Sequence, residues 1–139
     1  MAIKNKGQKG RFIAIGGINT LIDFSVLFLL KSFGLPEVQA NIVSTTAALC
    51  FSFFANRKFT FKASDTNVTR EIILFIIVSL IGAWGIQSVV ISISLPLLAG
   101  LHLSDYVSLF IAKVAAISVG LIWNYFMYSH VVFRKKKTS

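Results

Sequence analysis

Charge is scarce in this sequence. Only 14% of its 139 residues are charged, against roughly a quarter in an average soluble domain. Carboxylates are rarer still: five Asp and Glu stand against 14 Lys and Arg, for a net charge of +9. Asp23, Glu37, Asp65, Glu71 and Asp105 are scattered along the chain, which offers no acid–base pair. The single cysteine, Cys50, excludes an internal disulfide. Two histidines, His102 and His130, show no metal-ligand spacing. There is no Gly-rich phosphate loop and no Ser/His/Asp set. The expectation is a protein that is not an enzyme, with no cofactor and no metal. Proline is nearly absent: Pro36 and Pro96 are the two present, so long stretches run without a helix breaker.

What fills the chain instead is apolar. Hydrophobic residues make up 55%, and the mean hydropathy is +0.77, a membrane-protein composition. Four apolar runs, at about 12–30, 38–57, 72–96 and 106–129, are each long enough for a helix to cross roughly 30 Å of hydrocarbon. Their polar residues do not alternate with period two, which argues against a barrel. The basic N-terminus imitates a signal peptide, but its run is too long and no small-x-small cleavage site follows, so it is read as a retained helix. Gly34 and Pro36 break the first run from the second. Asp65, Thr66, Asn67 and Thr69 are expected to form a loop and helix N-cap, Pro96 to end the third run, and Gly100–Ser104 to form a turn.

The basic residues fall into three blocks, before Phe12, between Asn56 and Arg70, and after Phe133. The two other connections hold only Lys31. Both termini and the middle loop are therefore expected on the cytoplasmic side of a single four-span domain, 1–139. Blocks of this kind suit anionic lipid and topology; no nucleic-acid partner is expected. The stretch Ser52–Lys62, S-F-F-A-N-R-K-F-T-F-K, returns in degraded form at the end, with Phe54 on Phe126, Phe61 on Phe133 and Lys62 on Arg134, 72 positions apart. Phe12 matches Phe75, 63 positions apart. The expected fold is an all-α bundle of four transmembrane helices, built as two parallel-repeat hairpins with the extra residues of the second around Pro96–Asp105.

Polar residues inside the runs are candidate functional positions. Gly16, Asn19, Thr20 and Asp23 share one helical face. Asp23 lies about 16 Å into the first run, and Lys113 about 12 Å into the fourth from the other side, so the two are placed at one level. They form either a structural pair or part of a polar path. Asn41, Gln87 and Asn124 serve as glue between helices or belong to such a path. Asn56 and Arg57, beside Lys58, are either a topology anchor or a phosphate site, which a planar guanidinium grips with two donors. Trp84 and Trp123 are expected within the bundle, and the two histidines near its ends.

At R-F-x-x-x-G-G-x-N-T-x-x-D-F (Arg11–Phe24), F-x-x-N-R-K-F-T-F (Phe53–Phe61) and the basic, aromatic end after Asn124, the chain resembles the GtrA-like family, over about Gly10–Lys135. The membrane domain of some dolichyl-phosphate mannose synthases looks similar. The resemblance implies a four-span inner-membrane protein that moves a polyprenyl-phosphate-linked sugar for cell-surface polysaccharide or glycan modification. The alternative it implies is a non-transporting subunit that anchors or orients a polyprenyl-phosphate glycosyltransferase. By the resemblance Asp23, Asn56 and Arg57 match family motifs and Lys113 a frequent fourth-span lysine. With the basic rim and the polar faces read from the residues themselves, Arg57, Asn56, Lys58 and Arg11 are expected to hold the lipid phosphate, and Asp23, Lys113, Asn19 and Asn124 to form the intramembrane polar path. Tyr128 and Ser129 stand where the second half of the family often repeats Asn-Arg, which puts a symmetric second phosphate site in doubt. A small-molecule exporter is a weaker rival, given the strong orientation bias. Four short spans bury little interior, so a homo-oligomer, a dimer, is expected.

Overall fold

The computed structural model describes residues 2–64 and 66–134. Asp65 and the tail lysines Lys135–Lys137 fall outside the described residues. Among those described, every regular element is helical and none is a strand, as expected where backbone polar groups must be satisfied within one segment. Two compact units divide the chain, Met1–Asp65 and Thr66–Ser139.

In the first unit α1 (Ala2–Ser32) packs on α2 (Glu37–Ala55). The break between them is made by Gly34, whose φ of 86° is left-handed and free of penalty only for glycine. It lets the Leu35 N–H donate to the Leu30 carbonyl at 3.1 Å and the Gly34 N–H to the Lys31 carbonyl at 3.0 Å, closing the orphan carbonyls of α1. Pro36 then precedes α2, where its missing donor costs nothing. Beyond Ala55 the same rod widens into a π-helical segment, Asn56–Thr60.

In the second unit α3 (Val68–Leu80), a π-segment (Ile81–Ile86) and α4 (Gln87–Ala99) follow end to end. They pack on α5 (Asp105–Met127), which runs on into a π-segment, Tyr128–Val132. Asn67 caps α3 by accepting from the Arg70 N–H at 3.1 Å, one of the positions expected to do so. Ser104 caps α5 through the Val107 N–H at 3.4 Å. The expected stop at Pro96 is corrected: it lies inside α4, which continues to Ala99. Proline removes one donor, that of the Ser92 carbonyl, and membrane helices tolerate this beside a packed neighbour. Gly100–Ser104 is the expected turn.

Among the described residues three helices are long and apolar enough to cross a membrane: Lys6–Ser32 with 27 residues, Val68–Ala99 with 32 and Asp105–Val132 with 28. All outrun the apolar runs at 12–30, 72–96 and 106–129, because the polar flanks stay helical and hydropathy marks only the lipid-buried part. The fourth expected span lies on α2, which Gln39, Asn41, Ser44, Thr45, Thr46 and Ser52 make more polar.

Some positions at the 63 and 72 offsets make like contacts in the two units. Phe12 of α1 meets Phe61 at a centroid distance of 6.4 Å and an interplanar angle of 59°. Phe75 of α3 meets Phe133 at 6.4 Å and 52°. Ile15 and Val78, offset like Phe12 and Phe75, are both buried. Along α2, Ala40, Ser44, Ala48 and Ser52 are buried at every fourth position; along α5 the equivalents are Ala112, Ala116, Gly120 and Asn124, the first three buried. Such small residues let backbones approach, which is how helices associate in lipid. Counted by the 63 and 72 offsets, the helices of the second unit run further than those of the first. The equivalent of the α1 end is Leu95, but α4 reaches Ala99; the equivalent of the α2 start is Leu109, but α5 starts at Asp105. Each helix is one turn longer.

This packing has a direct test. Ala40 and Ala112 are 0% exposed, so Ala40→Leu or Ala112→Leu forces the helices apart and costs about 1–3 kcal/mol. Each is expected to lower the thermal midpoint in detergent, whereas Ala14→Leu, on an exposed face of α1, leaves it unchanged. Equal midpoints for all three would contradict the packing.

Candidate functional site

The site is built from a four-residue spacing. Ser52, Asn56 and Thr60 follow one another at i, i+4 and i+8, so they stack on one side of the rod at its widening. The Asn56 Nδ2 donates to Ser52 Oγ at 3.1 Å, and Thr60 Oγ1 donates to Asn56 Oδ1 at 2.9 Å. Asn56 is 1% exposed; its amide is used inside the segment. The Phe61 N–H then donates to the Asn56 carbonyl and the Ala63 N–H to the Arg57 carbonyl, both at 2.9 Å. Lys62 closes the turn at φ 48°, a left-handed conformation that costs a residue with a Cβ about 1–2 kcal/mol.

The consequence is a cationic pocket. Phe54, Arg57, Lys58, Lys62 and Ala63 line a cavity of about 400 Å³. Arg57 is half-buried, while Lys58 and Lys62 are exposed. The Lys58 Nζ stands 5.4 Å from the centroid of the Phe59 ring, a cation–π distance. Among the described residues, three cations and no carboxylate line this space. Arg57 supplies a planar fork for two oxygens of one anion, the lysines supply compact charge, and exposed Phe54 supplies an apolar edge. The arrangement suits a phosphate attached to a hydrocarbon.

The structure thus brings Arg57 and Lys58 together and adds Lys62, which sequence reading passed over. Its signal was a cation at the left-handed position after F-T-F, where glycine is usual. Asn56 lies beneath the pocket and fixes its shape. Arg11 is not in the lining; its Nη1 lies 3.4 Å from where a Gly7 Cβ would stand, so the side chain turns back along α1. Asn19 and Asp23 are half-buried on α1, and the Oδ1 of each is buried without a hydrogen-bond partner among the described residues. Thr20, on the same face, donates to the Gly16 carbonyl at 3.0 Å. Lys113 is exposed on α5, in the second unit; Asn124, also on α5, is half-buried, and its Oδ1 is buried without a hydrogen-bond partner among the described residues.

At the equivalent turn of the second unit Tyr128 replaces Asn56. Its hydroxyl and Ser79 Oγ are 2.6 Å apart, and its ring stacks on Phe75 at 4.7 Å. Ser129 and His130 stand in place of Arg57 and Lys58, with Ser129 Oγ 2.8 Å from His130 Nδ1. Aromatic packing holds this turn, and it carries no guanidinium at the Arg57 position. The two tryptophans separate: Trp123 donates its indole N–H to the Val78 carbonyl at 3.1 Å, but Trp84, expected inside, is 73% exposed. A buried glutamate went unnoticed in the sequence. Glu71 is 1% exposed in the first turn of α3, where the helix dipole favours a carboxylate. Among the described residues no three His, Cys, Asp or Glu side chains gather as a metal site.

Residues 11–133 match the family described as GtrA/DPMS, transmembrane domain. The chain belongs to that family. It is 35% identical over 116 residues to the uncharacterized membrane protein YngA of Bacillus subtilis, covering 84% of this chain and 72% of YngA. It is 41% identical over 59 residues to the bactoprenol-linked glucose translocase of Shigella phage SfX, covering 42% of this chain and 49% of that protein. To the translocase of the same description in Shigella phage SfV it is 34% identical over 82 residues, covering 58% and 62%. The matches to these two phage proteins span less than two thirds of their length. Family and helices together make this a multi-pass membrane protein.

If Asn56 shapes the pocket, Asn56→Leu keeps the volume but leaves Ser52 and Thr60 without their partner. The expected cost is about 1–3 kcal/mol. Amide hydrogen exchange is expected to quicken at Phe61 and Ala63, whose N–H groups close the turn, while Leu35, at the other end of α2, stays as protected as before. Unchanged exchange at Phe61 and Ala63 would show that the amide does not hold the turn.

Proposed function

We propose that the chain carries a polyprenyl-phosphate-linked sugar across the cytoplasmic membrane, for cell-surface polysaccharide or glycan modification. The observation that carries this reading is the pocket of Arg57, Lys58 and Lys62 edged by Phe54. A phosphate with a long hydrocarbon needs cations and an apolar edge at the end of a membrane helix, and the pocket offers both. The printed names of the phage relatives point the same way.

In this proposal α2 is the fourth span, so the chain crosses at about 12–30, 38–57, 72–96 and 106–129 with both termini and the pocket on the cytoplasmic side. The two units form a parallel repeat. Arg57, Lys58 and Lys62 hold the phosphate, with Asn56 setting the turn and Arg11 adding to the basic rim. Asn19, Asp23, Lys113 and Asn124 ease the sugar through the hydrocarbon. The unpartnered oxygens of Asn19, Asp23 and Asn124 support that role, because buried acceptors left without donors are costly unless something uses them. Transport runs downhill or is drawn by consumption of the product. A membrane glycosyltransferase is the partner that makes or uses the cargo, and the working form is a dimer.

Arg57→Lys separates phosphate binding from topology. Lysine keeps the charge and loses the fork. Transport in proteoliposomes is expected to fall about tenfold, the equivalent of one two-donor contact, with insertion unchanged. Equal transport at equal membrane abundance would remove Arg57 from the site.

The proposed Asp23–Lys113 pair is tested by a mutant cycle. Asp23→Asn or Lys113→Met alone leaves a charge in hydrocarbon, at a cost of about 3 kcal/mol, and lowers folded yield. The double variant is expected to recover yield in part but not transport. Additive loss of yield would mean that the two residues do not interact.

A further inference from the structure

The middle of the second unit contains a polar notch that the phosphate pocket does not explain. The rod α3–α4 is widened there by the π-segment Ile81–Ile86, and π-bulges in helices gather at functional sites. Gly82 opens this segment. A Cβ on it would stand 2.8 Å from Asn124 Oδ1 and 3.0 Å from the Trp123 ring, so the Asn124 side chain lies in space that only glycine leaves. The reverse holds on α5: a Cβ on Gly120 would stand 3.2 Å from Gln87 Nε2. Two primary amides, one from each of two packed helices, thus lie over two glycines of the facing helix. Gly120 precedes Asn124 by one turn, so the amides are neighbours.

The repeat shows what released the Asn124 amide. Its equivalent in the first unit is Ser52, which holds Asn56. The equivalent of Asn56 is Tyr128, which bonds to Ser79 instead. Asn124 has no such duty, and its Oδ1 is buried without a hydrogen-bond partner among the described residues. An acceptor placed in hydrocarbon and left unsatisfied is disfavoured unless a donor arrives.

We infer that Asn124 and Gln87 form a hydroxyl-binding station for a polyol: the sugar headgroup of the cargo during its passage. A primary amide offers an acceptor and two donors, which matches a sugar hydroxyl whichever way the amide is turned. A phosphate offers only acceptors, and the notch has no cation in it. This inference rests on the proposed lipid-linked sugar cargo and assigns its two ends to two places: the phosphate to the Arg57 pocket and the hydroxyls to the notch.

Trp123 provides a reporter, since its ring borders Gly82. The chain has two tryptophans, so Trp84→Phe, at an exposed position, leaves Trp123 alone. The protein is reconstituted into vesicles and titrated with a polyprenyl-phosphate-linked glucose or with the same polyprenyl phosphate lacking sugar. Trp123 emission is expected to respond to the glucosyl lipid and not to the bare phosphate. Asn124→Leu is expected to weaken that response about tenfold in affinity, as for lost hydrogen bonds. Gly120→Ala, whose Cβ would meet only the flexible Gln87 side chain, is expected to do the same in a folded protein, and it decides the matter if Asn124→Leu does not fold. The same response to both lipids, no response to either, or responses indifferent to the variants would overturn the station. A normal Trp123 response in a protein that moves no lipid would instead leave the station standing and remove the transport reading.

Discussion

The amide of Asn56, held between the hydroxyls of Ser52 and Thr60, sets where the cations of this protein stand. In a plain α-helix Lys58 and Lys62, four residues apart, would share a face, and Arg57 would stand about 100° from Lys58. The π-segment changes that angle, and the buried amide makes the change permanent by satisfying polar groups at both ends of the widened stretch. Closure by the Phe61 and Ala63 N–H groups and the left-handed Lys62 follow from it. The pocket is therefore a property of backbone geometry, and the cations are its lining.

The surroundings explain why an amide rather than packing alone does this work in the first unit. Hydrocarbon gives no hydrophobic drive for helix association, so small residues and interior hydrogen bonds hold the units together. The second unit solves the same problem with Tyr128 stacked on Phe75 and bonded to Ser79. One repeat thus has two solutions. The polar one leaves a cationic turn at the rod's end; the aromatic one leaves Asn124 free in the middle.

Much of this was legible in the sequence. Run lengths and missing breakers gave helices, the offsets of Phe61 from Phe133 and of Phe12 from Phe75 pointed to positions that make like ring contacts in each unit, and the basic cluster at Arg57 marked residues that line the pocket. What stayed hidden depends on facts periodicity does not carry. A π-segment reads as an ordinary helix, so the sequence did not show that the Asn56 amide is held by Ser52 and Thr60 or that Lys62 lines the pocket. Pro96 looked like a stop because its effect on a helix depends on the neighbour it packs against. Trp84 looked internal because a membrane rod with apolar residues on all sides hides which face meets lipid. Glu71 drew no notice, because periodicity does not tell a buried first-turn glutamate from an exposed one.

The central claim is that the protein by itself lets a lipid-linked sugar cross a bilayer. It is tested by purified protein in sealed liposomes carrying labelled polyprenyl-phosphate-linked glucose in the outer leaflet, with no glycosyltransferase added. The account predicts that the label becomes inaccessible to an external sugar-oxidising reagent faster than in protein-free liposomes, with a rate proportional to protein content. A rate equal to that of empty liposomes, restored only when a glycosyltransferase is supplied, would contradict it and identify the chain as that enzyme's membrane subunit.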